Sequence, residues 1–328
     1  MIKNEVLVQS PTRIDFAGGT LDCWPINALM TPVTTINVAI NIFTTCRLSA
    51  RDDKKIMIHS RETKQNYTFE NLQECLDCDQ PDFLFFREHI AYWKPDYGFN
   101  LSAQSDSPVG GGLGGSSSLS ISIFKAFCQL NEVEMGDYET VRICSGIEAK
   151  ILKMPTGTQD YFPPLKGGFS IIDYKCGWPE VQSISIEDLD INKNISVFFT
   201  GKSHHSGINN WQVIKSFVEG DEKTTSALNQ IRDVADQTKQ VVINKDWKKL
   251  PDLFKREFKA RMELADTFSS PEIEKLSEVA FENGGDAINI CGAGGGGCVF
   301  VWSEPEKRDG IIQACADAGF KHLDVKLV

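Results

Sequence analysis

The sequence predicts an α+β protein built as two lobes, with one large α/β domain the alternative that length alone leaves open. Three observations carry this. The chain's 328 residues exceed the roughly 100–200 that one ordinary core uses. Its first hundred residues run in short β-like stretches between polar turns, before any long helical pattern. Its second half holds a long helical tract and then strand, glycine loop, strand, helix and strand.

Taken in order, VLVQ, TTINVAINIFTTCRLSA, KKIMIHS and QNYTF are rich in β-branched and aromatic residues and predict strands. Residues 110–115 break that pattern. From Ser116, SSLSISIFKAFCQLNEV spaces apolar residues as a helix does, and a second helix is expected over 138–153, ended at the turn around Pro155. GGFSIIDY and ISVFFTG predict two more strands. Residues 206–283 are expected to be mostly helical, because NNWQVIKSFVEG, ALNQIRDVADQTKQVVI and IEKLSEVAFENG repeat apolar residues every three or four positions. AINICGAGGGGCVFVW, EKRDGIIQACADAG and HLDVKLV close the chain. The lobe boundary is expected within 170–195, giving an ATP-binding lobe at 1–185 and a second lobe at 186–328.

Composition narrows the function. With 41% hydrophobic and 24% charged residues the chain is of ordinary globular type, not disordered or fibrous. Lys and Arg number 34 against 45 Asp and Glu, a net charge of −11, which argues against nucleic acid or an anionic membrane as partner. An anionic ligand would need a local positive site. No apolar run approaches the roughly 18 residues of a membrane span, and MIKNEVLVQSP lacks a signal peptide's apolar stretch, so a cytoplasmic protein is expected. Eight of the ten cysteines are scattered singly among apolar neighbours, and Cys75 and Cys78 form a lone CxxC in an acidic stretch. Reduced packing thiols are expected, with a metal or redox role the alternative.

The strongest local signal is SPVGGGLGGSSSLSISIFKAF, residues 107–127. Five glycines occupy six positions and lead straight into a helix. Such a loop lets several backbone N–H groups converge on one anion, and the helix N-terminus adds its positive dipole end. Pro108, Gly110, Gly111, Gly112, Leu113, Gly114, Gly115, Ser116 and Ser117 are therefore the expected nucleotide-binding residues. The spacing is neither GxxxxGK[ST] nor a strand-tied GxGxxG. A plain surface turn capped by serines is the alternative, and glycine density before an abrupt helix disfavours it.

Three ordered motifs, SPTRIDFAGGTLD (residues 10–22), SPVGGGLGGSSSL (107–119) and NICGAGGGGCVFVW (289–302), resemble those of the GHMP kinases, the superfamily of galactokinase, homoserine kinase, mevalonate kinase and phosphomevalonate kinase. Within it, RIDFAGGTLD, GDYETVR, TGTQDYFPPLKGGF and FTGKSHHS most resemble the branch that phosphorylates D-glycero-D-manno-heptose 7-phosphate. The resemblance implies an N-terminal mixed lobe, a ferredoxin-like C-terminal lobe, and ATP with Mg²⁺ in the cleft. It implies Ser116 and Glu148 as metal ligands, and Asp160 as the carboxylate that takes the acceptor's proton. Gly115 stands where many members carry Ser or Thr.

Taken without the resemblance, Asp160 could close an Asx turn and Glu148 could pair with Lys150 or Lys153 on a solvated helix. Arg13 stands where the mevalonate branch has lysine, and its guanidinium can bridge a phosphate and Asp160. Asp22, after the turn containing Gly19, resembles the acid of the sugar branch that accepts hydrogen bonds from substrate hydroxyls, which suits a polyol acceptor; turn residues are the alternative for Asp15 and Asp22, with Asp15 left open. A phosphorylated acceptor also needs cations, for which Lys202, His204 and His205 are candidates. Gly294 and Gly295 are expected beside the phosphates and the acceptor. A small-molecule kinase of a sugar or sugar phosphate follows, heptose 7-phosphate favoured. The alternatives are mevalonate, galactose or fucose as acceptor, or a catalytically silent nucleotide- or sugar-binding regulator. Oligomeric state is not legible.

Overall fold

The computed structural model describes residues 5–62, 64–186, 191–203 and 206–328. Eleven strands and eleven α-helices are described. The first half holds β1 (Glu5–Ala17), α1 (Ile26–Leu29), β2 (Val33–Arg51), β3 (Ile56–Ser60), β4 (Gln65–Phe69), α2 (Leu72–Asp77), α3 (Leu84–Trp93), β5 (Gly98–Ser105), α4 (Gly115–Leu130), α5 (Asp137–Leu152), α6 (Pro163–Lys166), β6 (Phe169–Tyr174) and β7 (Glu180–Ile184). The second holds β8 (Ile195–Phe199), α7 (Ser206–Val218), α8 (Glu222–Asn244), α9 (Leu250–Leu264), α10 (Pro271–Glu282), β9 (Ala287–Ile290), β10 (Cys298–Trp302), α11 (Arg308–Asp317) and β11 (Lys321–Leu323). No described helix is long and apolar enough to cross a membrane.

Strands β1 to β7 form one sheet whose spine is β2. It pairs antiparallel with β1, with β5 along its C-terminal half and with β6 along its N-terminal half. The other sheet runs β11-β8-β10-β9, antiparallel throughout. In chain order that is fourth, first, third, second, the ferredoxin-like arrangement that the motifs implied. The α+β, two-lobe fold therefore holds. Several elements depart from expectation, among them the short helix α2, the strands β5 and β7, and α3, a ten-residue helix inside the first hundred residues. Its run LFFREHIAYW is nearly continuous in apolar and aromatic residues, so helical periodicity is faint, and only packing against α4 and α5 decides it.

The lobes share a core. Phe16 of β1 meets Phe169 of β6 and Phe254 of α9 edge-on at 5.1 Å, and stacks on Phe300 of β10 at 5.7 Å. Aromatic pairs at these separations add about 0.5–1.5 kcal/mol each to their burial. The chain's end returns to the first sheet, where the Val328 N–H donates to the Ala39 carbonyl. Helix α4 lies close to β1 and β2 because its inner face carries serines. Ser118 Oγ donates to the Pro11 carbonyl at 2.9 Å, and Thr44 Oγ1 shares hydrogen bonds with Ser118 and Ser122 at 2.8 and 2.9 Å. Those serines dock the helix, and their placement fixes where its N-terminus points. All ten cysteines are free thiols, and burial pushes Cys75 of the CxxC pair up to about 12.

Candidate active site

A cleft of about 240 Å³ opens between the two lobes at the N-terminus of α4. The residues around it come from all three motifs. Arg13, Asp22, Glu148, Asp160 and the loop from Pro108 to Ser117, Leu113 excepted, line it, with Gly292 and Ala293 on the far wall.

The glycine loop is built for close approach. Gly110, Gly112 and Gly114 adopt φ of 64°, 71° and 69°, a region that side chains with a Cβ avoid. Gly111 folds back so that its N–H donates to the Pro108 carbonyl at 2.9 Å, while its own carbonyl accepts from Cys298 N–H at 2.7 Å. The loop is thereby tied to the third motif. Leu113 is fully buried in the core and contributes only its carbonyl, which accepts from the Arg13 N–H at 3.0 Å. The sequence had placed it on the nucleotide; its side chain points into the protein because the helix start needs an apolar anchor.

Arg13 is 3% exposed and fastens four segments. Its Nε and Nη2 both donate to Asp160 Oδ1, at 2.9 and 2.7 Å, and its Nη1 donates to the Gly112 carbonyl at 2.5 Å and to the Cys291 carbonyl. The Asp160 half of the expected bridge is therefore formed, and Nη1 is in addition tied to two loop carbonyls. Burial opposes its charge, and Asp160 and Asp15 outweigh that, so its pKa is raised. Asp160 Oδ2 carries no protein hydrogen bond among the described residues, and its side chain is 26% exposed. One oxygen is held and the other faces no protein partner.

Glu148 of α5 collects three hydroxyls: Ser116 donates to Oε1 at 3.1 Å, and Thr156 and Tyr161 donate to Oε2 at 2.9 and 2.7 Å. Burial raises its pKa, and those hydroxyls work against the rise. A solvated pairing with Lys150 does not form, since Lys150 reaches Glu88 instead. The Ser116 and Glu148 pair offers only oxygen donors, the set that a hard cation such as Mg²⁺ prefers, and Mg²⁺ characteristically takes few protein ligands beside phosphates and water.

Asp22 is 3% exposed. Its Oδ2 accepts the Gln159 N–H at 3.0 Å, and burial, with Asp160 and Asp15 adding, pushes its pKa up to about 7. A Cβ on Gly157 would run into that carboxylate. Gly157→Ala should displace Asp22 and raise the acceptor KM by about tenfold or more while leaving the ATP KM unchanged, in steady-state assays varying each substrate; equal effects on both would show that Asp22 does not serve the acceptor.

Four expected site residues lie elsewhere. A Cβ on Gly19 would strike Asp15 and Arg261, so that glycine makes room for a buried ion pair. Lys202 is half-exposed, with its Nζ 3.6 Å from Glu272, and does not line the cleft; the neighbouring acid draws it outward. Gly294 and Gly295 back onto the Phe268 and Thr267 carbonyls, where a Cβ would clash, leaving Gly292 and Ala293 to face the cleft. His204 and His205 lie outside the described residues.

Arg261, on α9, was not anticipated. It is 1% exposed, donates to Asp15 Oδ2 at 3.0 Å and to the Gly292 carbonyl at 2.6 Å, and reaches the cleft wall. One turn earlier Glu257, fully buried, accepts the Gly18 N–H at 3.0 Å. The sequence did carry a signal. Leu250, Leu253, Phe254, Glu257, Ala260, Arg261 and Leu264 form the buried face of α9, so two charges interrupt an apolar stripe at helical spacing, and buried charges need partners.

Models of the GHMP kinase N-terminal and C-terminal domains match residues 83–168 and 240–321. A D-glycero-alpha-D-manno-heptose 7-phosphate kinase from Campylobacter jejuni is 26% identical over 318 residues, 94% of this chain and 92% of its own. A mevalonate kinase from Thermococcus sibiricus is 26% identical over 70% of this chain and 67% of its own. Among solved structures, a Lactococcus lactis galactokinase complexed with galactose superimposes with a TM-score of 0.80 at 17% identity, covering 99% of this chain and 93% of its own.

Proposed function

The chain belongs to the GHMP kinase family, as an ATP-dependent phosphotransferase acting on an alcohol group, and from that premise we propose that its acceptor is a sugar phosphate, D-glycero-D-manno-heptose 7-phosphate. The carrying observation is the side-by-side placement of a half-free Asp160 carboxylate, the Ser116 and Glu148 pair and the glycine loop in one cleft. Phosphoryl transfer asks for positioning and charge neutralisation more than covalent chemistry. The loop's N–H groups and the α4 N-terminus hold the phosphates. Ser116 and Glu148 would hold Mg²⁺, which when bound would supply positive charge against the phosphates. Asp160, its Oδ1 clamped by Arg13, presents Oδ2 to the acceptor hydroxyl and takes its proton as the phosphoryl group moves.

The acceptor side favours a polyol. Asp22, Thr20 and Asn210 bring side-chain acceptors and donors to the cleft wall, and an acceptor with several hydroxyls can pair with them. Arg261 is the cation that the acidic chain places in the cleft beside Arg13. The galactokinase-like string GEHTDYN is replaced here by AGGTLDC, and arginine in place of lysine at position 13 separates the chain from the mevalonate branch. A silent regulator would have no use for Ser116, Glu148 and Asp160 together.

ADP release measured across heptose 7-phosphate, free heptose, galactose, fucose and mevalonate tests this. Heptose 7-phosphate should lead in kcat/KM by roughly tenfold or more. Turnover of unphosphorylated sugars alone would remove the phosphate from the proposal, and silence with every acceptor would overturn the kinase step on sugars.

A further inference from the structure

Where the chain leaves the cleft-lining Asp22 and Cys23 lies a second pocket, of about 370 Å³. Its wall is made by one face of α5, where Tyr138, Val141, Arg142 and Ser145 follow at helical spacing, by the turn at 175–179 between β6 and β7, and by Trp24 and Asn27. Three rings stay in solvent there: Trp24 is 63% exposed, Trp178 59% and Tyr138 39%. Exposed aromatics gathered at one concavity are a feature of ligand sites more than of bare surface.

The charge is equally unusual. In a chain at −11, this pocket is lined, among the described residues, by Arg142 and Lys175 and by no Asp or Glu. Lys175 is held by Glu180 at 2.6 Å. Arg142 has no carboxylate partner among the described residues; its guanidinium lies over the Trp178 ring, 6.0 Å from the centroid. A cation over one indole, in a pocket that a second indole also lines, matches a ligand that has a ring to stack and an anion at its edge.

We propose that this pocket is an effector site for a phosphate monoester carrying a ring, and that its occupancy alters acceptor binding. The coupling has a short path. The Asn27 side chain donates to the Asp22 carbonyl at 2.9 Å, Trp24 follows Asp22 by two residues, and Thr158, hydrogen-bonded to the Tyr174 hydroxyl at 2.9 Å, precedes the Gln159 whose N–H holds the Asp22 carboxylate. Lining residues of this pocket thus adjoin both groups that set Asp22.

The test uses the full chain, with AMP, glucose 6-phosphate and inorganic phosphate as probes and tryptophan emission as readout. No tryptophan lines the catalytic cleft, so quenching reports the second pocket even with a non-hydrolysable ATP analogue filling the first. AMP or glucose 6-phosphate should quench emission saturably, inorganic phosphate far less, and Arg142→Ala should weaken the effective probe by about tenfold or more, the loss of one charge-assisted contact. The same probe should shift the acceptor KM of the wild type and not of Arg142→Ala, whose turnover without probe stays normal. Stacking alone, with a base or a sugar, distinguishes the two sources by which probe is tighter. Absence of saturable quenching, quenching untouched by Arg142→Ala, or a probe-independent dimer abolished by Trp178→Ala would overturn the site; quenching without any change in acceptor KM would overturn the coupling.

Discussion

Asp160→Asn should leave nucleotide affinity near the wild-type value and lower kcat by roughly 10²–10⁴, the range that a positioned general base contributes. The expectation follows from the division of labour in the cleft. The phosphates are to be held by backbone N–H groups of the glycine loop and by the start of α4, which the substitution does not touch. The amide can still accept from Arg13 through its oxygen, replacing the contacts at 2.9 and 2.7 Å, so the clamp on Gly112 and Cys291 persists. What is lost is the second oxygen's capacity to take a proton. Titration calorimetry with a non-hydrolysable ATP analogue, beside single-turnover kinetics, separates the two quantities. An unchanged kcat would remove Asp160 from proton transfer and leave it a positioning residue.

Glu257 gives the second large effect, on stability. Its ordinary value is 4.5, and burial, with Asp15 adding and Arg261 opposing, pushes it up to about 8. Between those values the unfolded chain has released a proton that the folded chain keeps. By linkage, stability from this group is fully present below about 4.5, falls as pH rises through the window, and levels off above about 8. Glu257→Gln mimics the protonated form and still offers an oxygen to the Gly18 N–H, so it should lack that slope. At pH 8 the variant should be more stable than the wild type by about 2–4 kcal/mol, the order that a shift of this size carries, with near-equality at pH 5. Urea midpoints at pH 5, 6.5 and 8 measure it. Parallel pH profiles would mean that Glu257 is ionised in the folded chain.

Both predictions involve residues whose partners lie far away in sequence, and that marks where the chain was legible. Local chemistry was readable. The glycine loop and the abrupt start of α4 are one continuous string, and a run of glycines at positive φ before a helix leaves little alternative to an anion cradle. The terminal strand, loop, strand, helix, strand pattern likewise placed β9, β10, α11 and β11, because alternation and glycine punctuation are short-range signals. The four strand runs before residue 70 and the helices after 206 were legible for the same reason.

Side-chain roles that depend on a distant neighbour were not. Lys202 looked like a cation for the acceptor until Glu272 drew it outward, and Gly294 and Gly295 looked like phosphate contacts until the Thr267 and Phe268 carbonyls filled the space beside them. Gly19 turned out to accommodate the pair of Asp15 and Arg261, two residues 246 positions apart. Leu113 belongs to the cradle by sequence and to the core by structure.

By itself, then, the sequence determined the α+β class and the glycine loop leading into a helix N-terminus, because residue type and spacing suffice for these, while Ser116, Glu148, Asp22 and Asp160 stood out only through the motifs' resemblance to the kinase family. The tertiary structure decided which groups face one another. It tied Arg13 to Asp160 and to the Gly112 and Cys291 carbonyls, brought Arg261 of α9 to the cleft, and set Arg142 over the Trp178 ring. Burial and charge pairing are set by neighbours in space, and only folding brings those neighbours to a side chain.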